Sequence, residues 1–189
     1  MKELNNKELL ELIKTDVFEF NAYREEYPNQ KIDFSGANLY KAYLDGANLE
    51  GANLYKANLR WAYLRRANLV DANLRGANLS DVNLDRANLN KVDLEDADLS
   101  RADLSRANIQ YANLRRANLD GANLQGANLE GANLRRANLR DADLEGANLE
   151  GSNLLWADLL WANLQGANLE NVKITLTKEN IEAIKGAKL

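Results

Sequence analysis

A five-residue register runs through most of this chain, and it excludes both ordinary regular elements. From Gly36 the sequence reads GANLY, KAYLD, GANLE, GANLY and continues to GANLE at residues 166–170. With the central Leu as position i, each unit runs from a small residue at i−2, through Asn or Asp at i−1, to two variable residues at i+1 and i+2. Ile32 to Asn171 spans 140 residues and hence 28 units. Position i is Leu except at Phe34 and Ile109, and i−2 is Ala except at Ile32, Val82, Val92 and Ser152.

On an α-helix five residues advance about 500°, so successive Leu side chains land about 140° apart and form no stripe. On a straight strand an odd period sends each Leu to the face opposite the last. The register works if the chain turns a corner in every unit, so that every Leu points to one central axis with the small Ala beside it at the crowded inner wall. Such a chain is a β-solenoid, whose coils hydrogen-bond to the coils above and below and whose stability sums over neighbouring coil interfaces.

Turn chemistry agrees. Ten of the eleven Gly occupy i+2, from Gly36 to Gly166, and the eleventh, Gly186, lies beyond the repeats. A fixed slot for Gly indicates positive φ in a type II turn, whereas Lys, Arg, Asp or Trp at that slot suit type I. The sole Pro, Pro28, sits outside the array, as expected where every N–H is needed by the ladder.

These tandem A(N/D)LXX units resemble the pentapeptide-repeat family over about 140 of the 189 residues. The resemblance implies an all-β fold, a right-handed quadrilateral parallel β-helix with four units per coil. The 28 units then make seven coils, a rod about 34 Å long at about 4.8 Å per coil. Members of such a family share a shape and differ in partners.

A solenoid is open at both ends, and both ends here carry material for a lid. Asn5 with Glu8 and Asp16 with Glu19 resemble capping boxes, each opening a short apolar segment: Leu9, Leu10, Leu12 and Ile13, then Val17, Phe18, Phe20 and Tyr23. Two short helices are expected before Pro28. At the other end Thr177 can N-cap a helix carrying Ile181 and Ile184 and stopped by Gly186. The expected organisation is a helical cap over 1–31, the β-helix over 32–176 and a second helical cap over 177–189.

Composition narrows the function. The chain has no Cys and no His, which removes disulfides, thiolate metal sites, Cys nucleophiles and the commonest general base. With no phosphate loop and no distinct pair of carboxylates, an enzyme is the weakest reading, and no cofactor is expected. Met1 to Ile13 shows no apolar signal-peptide core, and nowhere do about 18 apolar residues run together, so the expected location is cytoplasmic and away from membranes. A net charge of −4 argues against direct nucleic-acid binding.

At twenty residues per coil the variable positions stack into columns. One carries Arg115, Arg116, Arg135 and Arg136, with Glu95 and Asp96 one coil before. It is either an anion or acidic-partner site or, the preferred reading, a solvated face paired with neighbouring acids. Glu130, Glu150 and Glu170 form another column, which could attract a cation or imitate a row of phosphates. It lacks the turn Gly and ligand count of a calcium loop. Tyr43 and Tyr63 replace Asn at i−1 one coil apart and are expected to stack. Leu155, Trp156, Leu160 and Trp161 place four large apolar groups at i+1 and i+2 near one end. Exposed, they mark a protein interface; covered by the helix carrying Ile181 and Ile184, they are a lid contact. The small area of one short helix favours an interface or a mixture of the two. The family resemblance implies tail-to-tail dimers in some members, and this group is placed for a homodimer through the C-terminal end.

The leading expectation is a non-enzymatic scaffold presenting charged faces to an unidentified protein partner. The alternative, taken from the quinolone-resistance branch of the same family, is a DNA-mimicking regulator or protector of DNA gyrase. With 15 Lys and Arg against 19 Asp and Glu in the repeats, phosphate mimicry is poor.

Overall fold

The computed structural model describes residues 3–188; the outermost residues of the two expected caps, 1–2 and 189, lie outside the described residues. Helices α1 (Asn6–Thr15) and α2 (Val17–Glu26) precede the repeats. Strands β1 (Asn153–Leu154) and β2 (Lys173–Ile174) lie near the other end, followed by α3 (Lys178–Ala183) and a 3-10 turn over Ile184–Gly186.

Regular strands are few because each straight run is only about three residues long before the next corner. What replaces them is a series of single parallel bridges at i−1, each joining residues twenty apart: Asp33 to Asn53, Asn38 to Asn58, Tyr43 to Tyr63, Asn48 to Asn68, and so on up the chain. Four such ladders recur in each twenty-residue coil, and they define sides 1 to 4, beginning at Asp33, Asn38, Tyr43 and Asn48 respectively. β1 and β2 are the last rung of side 1, paired in the same register.

Every corner is a four-residue turn closed by a hydrogen bond from the next i−2 N–H to the carbonyl of i, as from Ala37 to Phe34 at 3.0 Å. All 28 residues at i+2 have positive φ: ten Gly, and eighteen other residues between Lys41 (φ 56) and Asn171 (φ 59). The expectation of type I turns at the non-Gly slots is therefore wrong. The ladder requires the i+2 N–H to donate to the coil above, as Lys41 does to Arg60 O at 3.0 Å, and the type II geometry that aims it so is imposed on Lys, Arg, Asp and Trp alike. A non-Gly residue there costs about 1–2 kcal/mol of left-handed strain, which the two-sided ladder and the buried Leu column offset.

The core is that column. Leu at i is buried throughout, with Ala at i−2 beside it, and each buried Leu contributes roughly 1.5–3 kcal/mol. The Asn at i−1 is half-buried and has two uses. Its side-chain oxygen accepts the N–H of i+1, as Asn73 does from Arg75 at 3.2 Å, and its amide donates to the oxygen one coil back, as Asn73 does to Asn53 at 3.0 Å.

Both ends of the ladder are closed by side chains standing in for a missing coil. Asn5 forms a reciprocal capping box with Glu8. Asp16 caps α2 through Glu19 N at 2.9 Å. Leu9, Ile13, Phe20 and Tyr23 bury against the first coil, where the rings of Phe20 and Phe34 lie 6.3 Å apart. Asn6 accepts from Asp33 N at 3.0 Å, Asn21 accepts from Asn48 N at 2.8 Å and Arg24 donates to Glu50 O at 2.8 Å. At the C-terminal end the chain does not simply lay a helix on the last coil. β2 continues side 1, α3 takes the place of the next straight runs, and the tail returns to side 4, where Lys188 bridges Asn168. Asn180, not Ile181, is the buried residue of α3: it is 2% exposed and donates to Ala157 O at 3.3 Å and Thr175 O at 2.9 Å. Ile181 is exposed, but Ile184 is half-buried and packs with Ala183 against the core, so the expected apolar contact is made by Ile184 alone of the pair, beside the polar one of Asn180.

Candidate interaction surface

Backbone hydrogen bonds and the Leu column occupy the interior, which leaves the turn pairs at i+1 and i+2 as the chemistry this rod can offer. They form four edge columns, each between two sides.

The edge between sides 1 and 2 carries the arginine group. Glu95, 5% exposed, accepts from Arg115, from Arg116 at 3.1 Å and from Arg75 at 3.2 Å. Arg116 also grips Asp96 with two bonds of 2.7 and 2.6 Å. Burial pushes the Glu95 carboxyl up, but its bond with Arg115 and the charges of Arg115 and Arg75 outweigh this and hold it below the usual carboxylate range. The Arg116 bond likewise holds Asp96 low. Arg115 and Arg116 are thus committed to a local network. Arg135 and Arg136, one coil further, form no ion pair among the described residues.

On the edge between sides 4 and 1, Glu130 accepts from Gln110 Nε2 and from the Tyr111 hydroxyl, both at 2.9 Å. That bond and the Glu130 charge raise the Tyr111 hydroxyl above its ordinary value. The like-charge column with Glu150 and Glu170 is therefore relieved at one end by neutral donors. No group of three or more potential metal ligands converges among the described residues.

Tyr43 and Tyr63 stack on side 3, with centroids 5.0 Å apart and rings within 3° of parallel. Trp61 is 5.9 Å from the Arg60 guanidinium on the neighbouring edge.

The C-terminal aromatic group stands clear of the last helix. Trp156 is 63% exposed and Trp161 70%, while Leu155 and Leu160 are half-buried beneath them. The two Trp occupy the two edges of side 2 on one coil. Trp156 walls a groove of about 390 Å³ with Leu160, Arg140 and Asn180. Beyond Trp161 a second groove of about 510 Å³ runs against Glu179, Glu182 and Ala183. Arg140 sits 5.2 Å from the Trp161 ring and pairs with Asp158 at 3.2 Å. Leu176, 66% exposed, and Ile181 extend the apolar surface. Sequence reading missed Arg140, Leu176 and Asn180 here; Arg140 was legible as the residue one coil before Leu160.

A parallel solenoid with twenty residues per coil, its interior filled by the Leu and Ala columns, defines a repeat scaffold whose chemistry lies on its outer columns. The chain belongs to the pentapeptide-repeat family: the family description, "Pentapeptide repeats", matches residues 32–69, 67–106, 97–136 and 137–175. Among solved structures it is similar to a pentapeptide repeat protein from the Arabidopsis thaliana thylakoid lumen, at 28% identity and TM-score 0.57, covering 61% of this chain and 79% of that one. It is also similar in fold to trypsin-treated QnrB1, a plasmid-mediated fluoroquinolone resistance protein, at 21% identity and TM-score 0.66, covering 85% and 88%. No curated protein sequence matches it. No helix among the described residues is long and apolar enough to cross a membrane.

Proposed function

We propose that this chain is a non-enzymatic binding scaffold, a right-handed four-sided β-helix acting in the cytoplasm, whose C-terminal end docks a protein partner through Trp156 and Trp161. The observation that carries this reading is the exposure of both indoles, 63% and 70%, each walling one of two grooves that share Leu160 and Glu179. Large aromatic anchors around a partly desolvated pocket are what protein interfaces concentrate their energy in. The arginine and glutamate columns supply register and selectivity more than affinity.

Affinity capture with the intact chain, run beside Trp156→Arg and Trp161→Arg variants, tests it. Partners retained by the parent and lost by both variants support the reading, and an identical captured set overturns it. Light scattering on the same variants tests the tail-to-tail homodimer, which should dissociate when either indole becomes Arg.

A second reading, a DNA-mimicking regulator of gyrase, draws on the likeness in fold to QnrB1. The alternation of Asp81 with Arg101, and of Glu95 and Asp96 with Arg115 and Arg116, makes a poor copy of a phosphate row. A supercoiling titration with and without a fluoroquinolone decides: inhibition or protection at micromolar protein would establish the mimic, and no effect removes it for the gyrase used.

A further inference from the structure

Side 1 is bordered by two edge columns whose charges oppose each other coil by coil. On four of the coils Glu50 faces Lys56 across the side, Asp71 faces Arg75, Lys91 faces Glu95 and Asp96, and Glu130 faces Arg135 and Arg136. At Lys91 the sign reverses on both edges together, and no coil of this side sets like charges against each other. Bulk is distributed in the same way. Gly51 lies opposite Tyr55 and Gly151 opposite Trp156, and a β-carbon at either Gly would meet nothing within 4 Å. Gln110 and Tyr111 lie opposite Arg115 and Arg116, a ring and an amide against two guanidinium groups.

Within one chain this complementarity goes unused. Side-chain ion pairs on these edges run along the columns, as Arg75 to Glu95 and Arg116 to Asp96 do, and none among the described residues joins one edge of side 1 to the other. Opposite signs that face each other across a strip without joining are satisfied by a second strip that presents them in reversed order.

We infer that side 1 is the contact surface for a second copy of this chain, packed side by side with both rods pointing the same way. A two-fold axis parallel to the rod carries each edge onto the opposite edge of the partner at the same height, so Glu130 meets Arg135 and Arg136, Lys91 meets the exposed Asp96, and Trp156 enters the space over Gly151. An antiparallel pair would set each edge against itself and place acids on acids. The contact is isologous and closes at two copies. A strip of seven coils at about 4.8 Å per coil is about 34 Å long, which puts it at the small end of specific interfaces. A salt-sensitive dimer of roughly micromolar affinity is expected. This pairing shares Trp156 with the C-terminal docking proposed above but does not use Trp161, so a Trp161 variant separates the two.

Sedimentation equilibrium of the full chain at low salt, up to millimolar concentration, gives the first test. Arg135→Glu with Arg136→Glu makes both edges acidic at that coil and should weaken the dimer at least about tenfold; Glu130→Arg with Glu150→Arg should do the same from the other edge. Mixing the two variants should restore association as a heterodimer, a rescue that damage to folding could not produce. The chain has no Cys, so Asn133→Cys, at the middle of side 1, provides an orientation probe. A parallel pair brings this position against itself and forms an intermolecular disulfide. Tyr43 and Tyr63 occupy the equivalent position on side 3, so the ladder accepts side chains other than Asn there. A monomer throughout, a dimer indifferent to the charge reversals, or a dimer that is lost on Trp161→Arg and gives no disulfide in the Asn133→Cys variant would each overturn the proposal.

Discussion

The ring of Tyr111 occupies the space that a β-carbon at Gly131, twenty residues on, would need: an atom built there would lie 2.7 Å from Cδ1 and 2.8 Å from Cε1. Gly131 is thus favoured by its φ of +64° and required by the ring that closes over it, whereas Gly151, at the same φ, has nothing within 4 Å. Gly151→Ala should cost about 1 kcal/mol, the left-handed strain alone. Gly131→Ala should cost about 2 kcal/mol or more, because the ring must move and its hydroxyl bond to Glu130 is lost. Denaturant midpoints measure the difference. In the Gly131 variant the Tyr111 hydroxyl should also titrate closer to its ordinary value, read by ultraviolet difference absorbance against Tyr111→Phe. Equal losses from the two substitutions would contradict the steric account.

The acids along the arginine columns make stability depend on pH in one direction. The Arg101 hydrogen bond holds Asp81 low, the Arg116 bond holds Asp96 low, and Glu95 is low because Arg115 and Arg75 overcome its burial. Folded carboxylates that resist protonation leave the unfolded chain binding more protons in acid. Their contribution is complete above the ordinary values, about 3.9 for Asp and 4.3 for Glu, and is lost as pH falls through the depressed folded values. Urea midpoints taken from about pH 6 down to about pH 2 should fall along this limb. The double variant Glu95→Gln, Asp96→Asn should flatten it; an unchanged acid limb would mean that other carboxylates govern it.

Asn180 closes the last open stretch of ladder, so its loss should be felt in that coil before the rest. Asn180→Ala leaves the Ala157 carbonyl without its donor, at a cost of about 1–3 kcal/mol, while Thr175 O keeps the Thr177 N–H at 3.1 Å. Because stability in a solenoid sums over neighbours, opening should concentrate near the cap. Hydrogen exchange should accelerate at Lys173 and Lys188 and stay unchanged at Leu94 or Leu114. Uniform acceleration along the rod would show that the cap and the array unfold as one unit.

The five-residue register made the corners legible because it records a geometric need that no other element shares, whereas the twenty residues per coil came from the family resemblance, with which the bridge spacing agrees. Turn type was not legible at the corners. Lys and Arg read as residues of ordinary turns, yet the ladder demands positive φ from each, a tertiary requirement that local preference cannot reveal. The caps were legible as helices through Asn5, Glu8, Asp16 and Thr177, but not in how they close the edges. Asn6, Asn21, Arg24 and Asn180 are ordinary polar residues until an unpaired backbone group is placed before them. Trp156 and Trp161 stood out because they broke the polar pattern at i+1 and i+2. Their exposure depended on where α3 lies, and that is set by the buried Asn180, not by the apolar Ile181 that suggested a lid.

Relieving one strained corner should stabilise the rod, and the choice of corner should decide by how much. Arg106 has φ 56° and Arg101 φ 55°, so replacing either by Gly removes about the same left-handed strain, near 1 kcal/mol. Their side chains differ: Arg101 holds Asp81 with bonds of 2.8 and 2.9 Å, while Arg106 forms no ion pair among the described residues. Arg106→Gly should therefore raise the denaturation midpoint. Arg101→Gly should raise it less or lower it, since Asp81 loses its bidentate partner and keeps only Arg60, at 3.5 Å. In a solenoid the gain should repeat at other unpaired corners and add, because distant coils share no contacts. A lower midpoint for Arg106→Gly would show that the left-handed corners are not strained in this setting, and equal gains at both corners would show that the exposed Arg101 to Asp81 pair adds nothing to the fold.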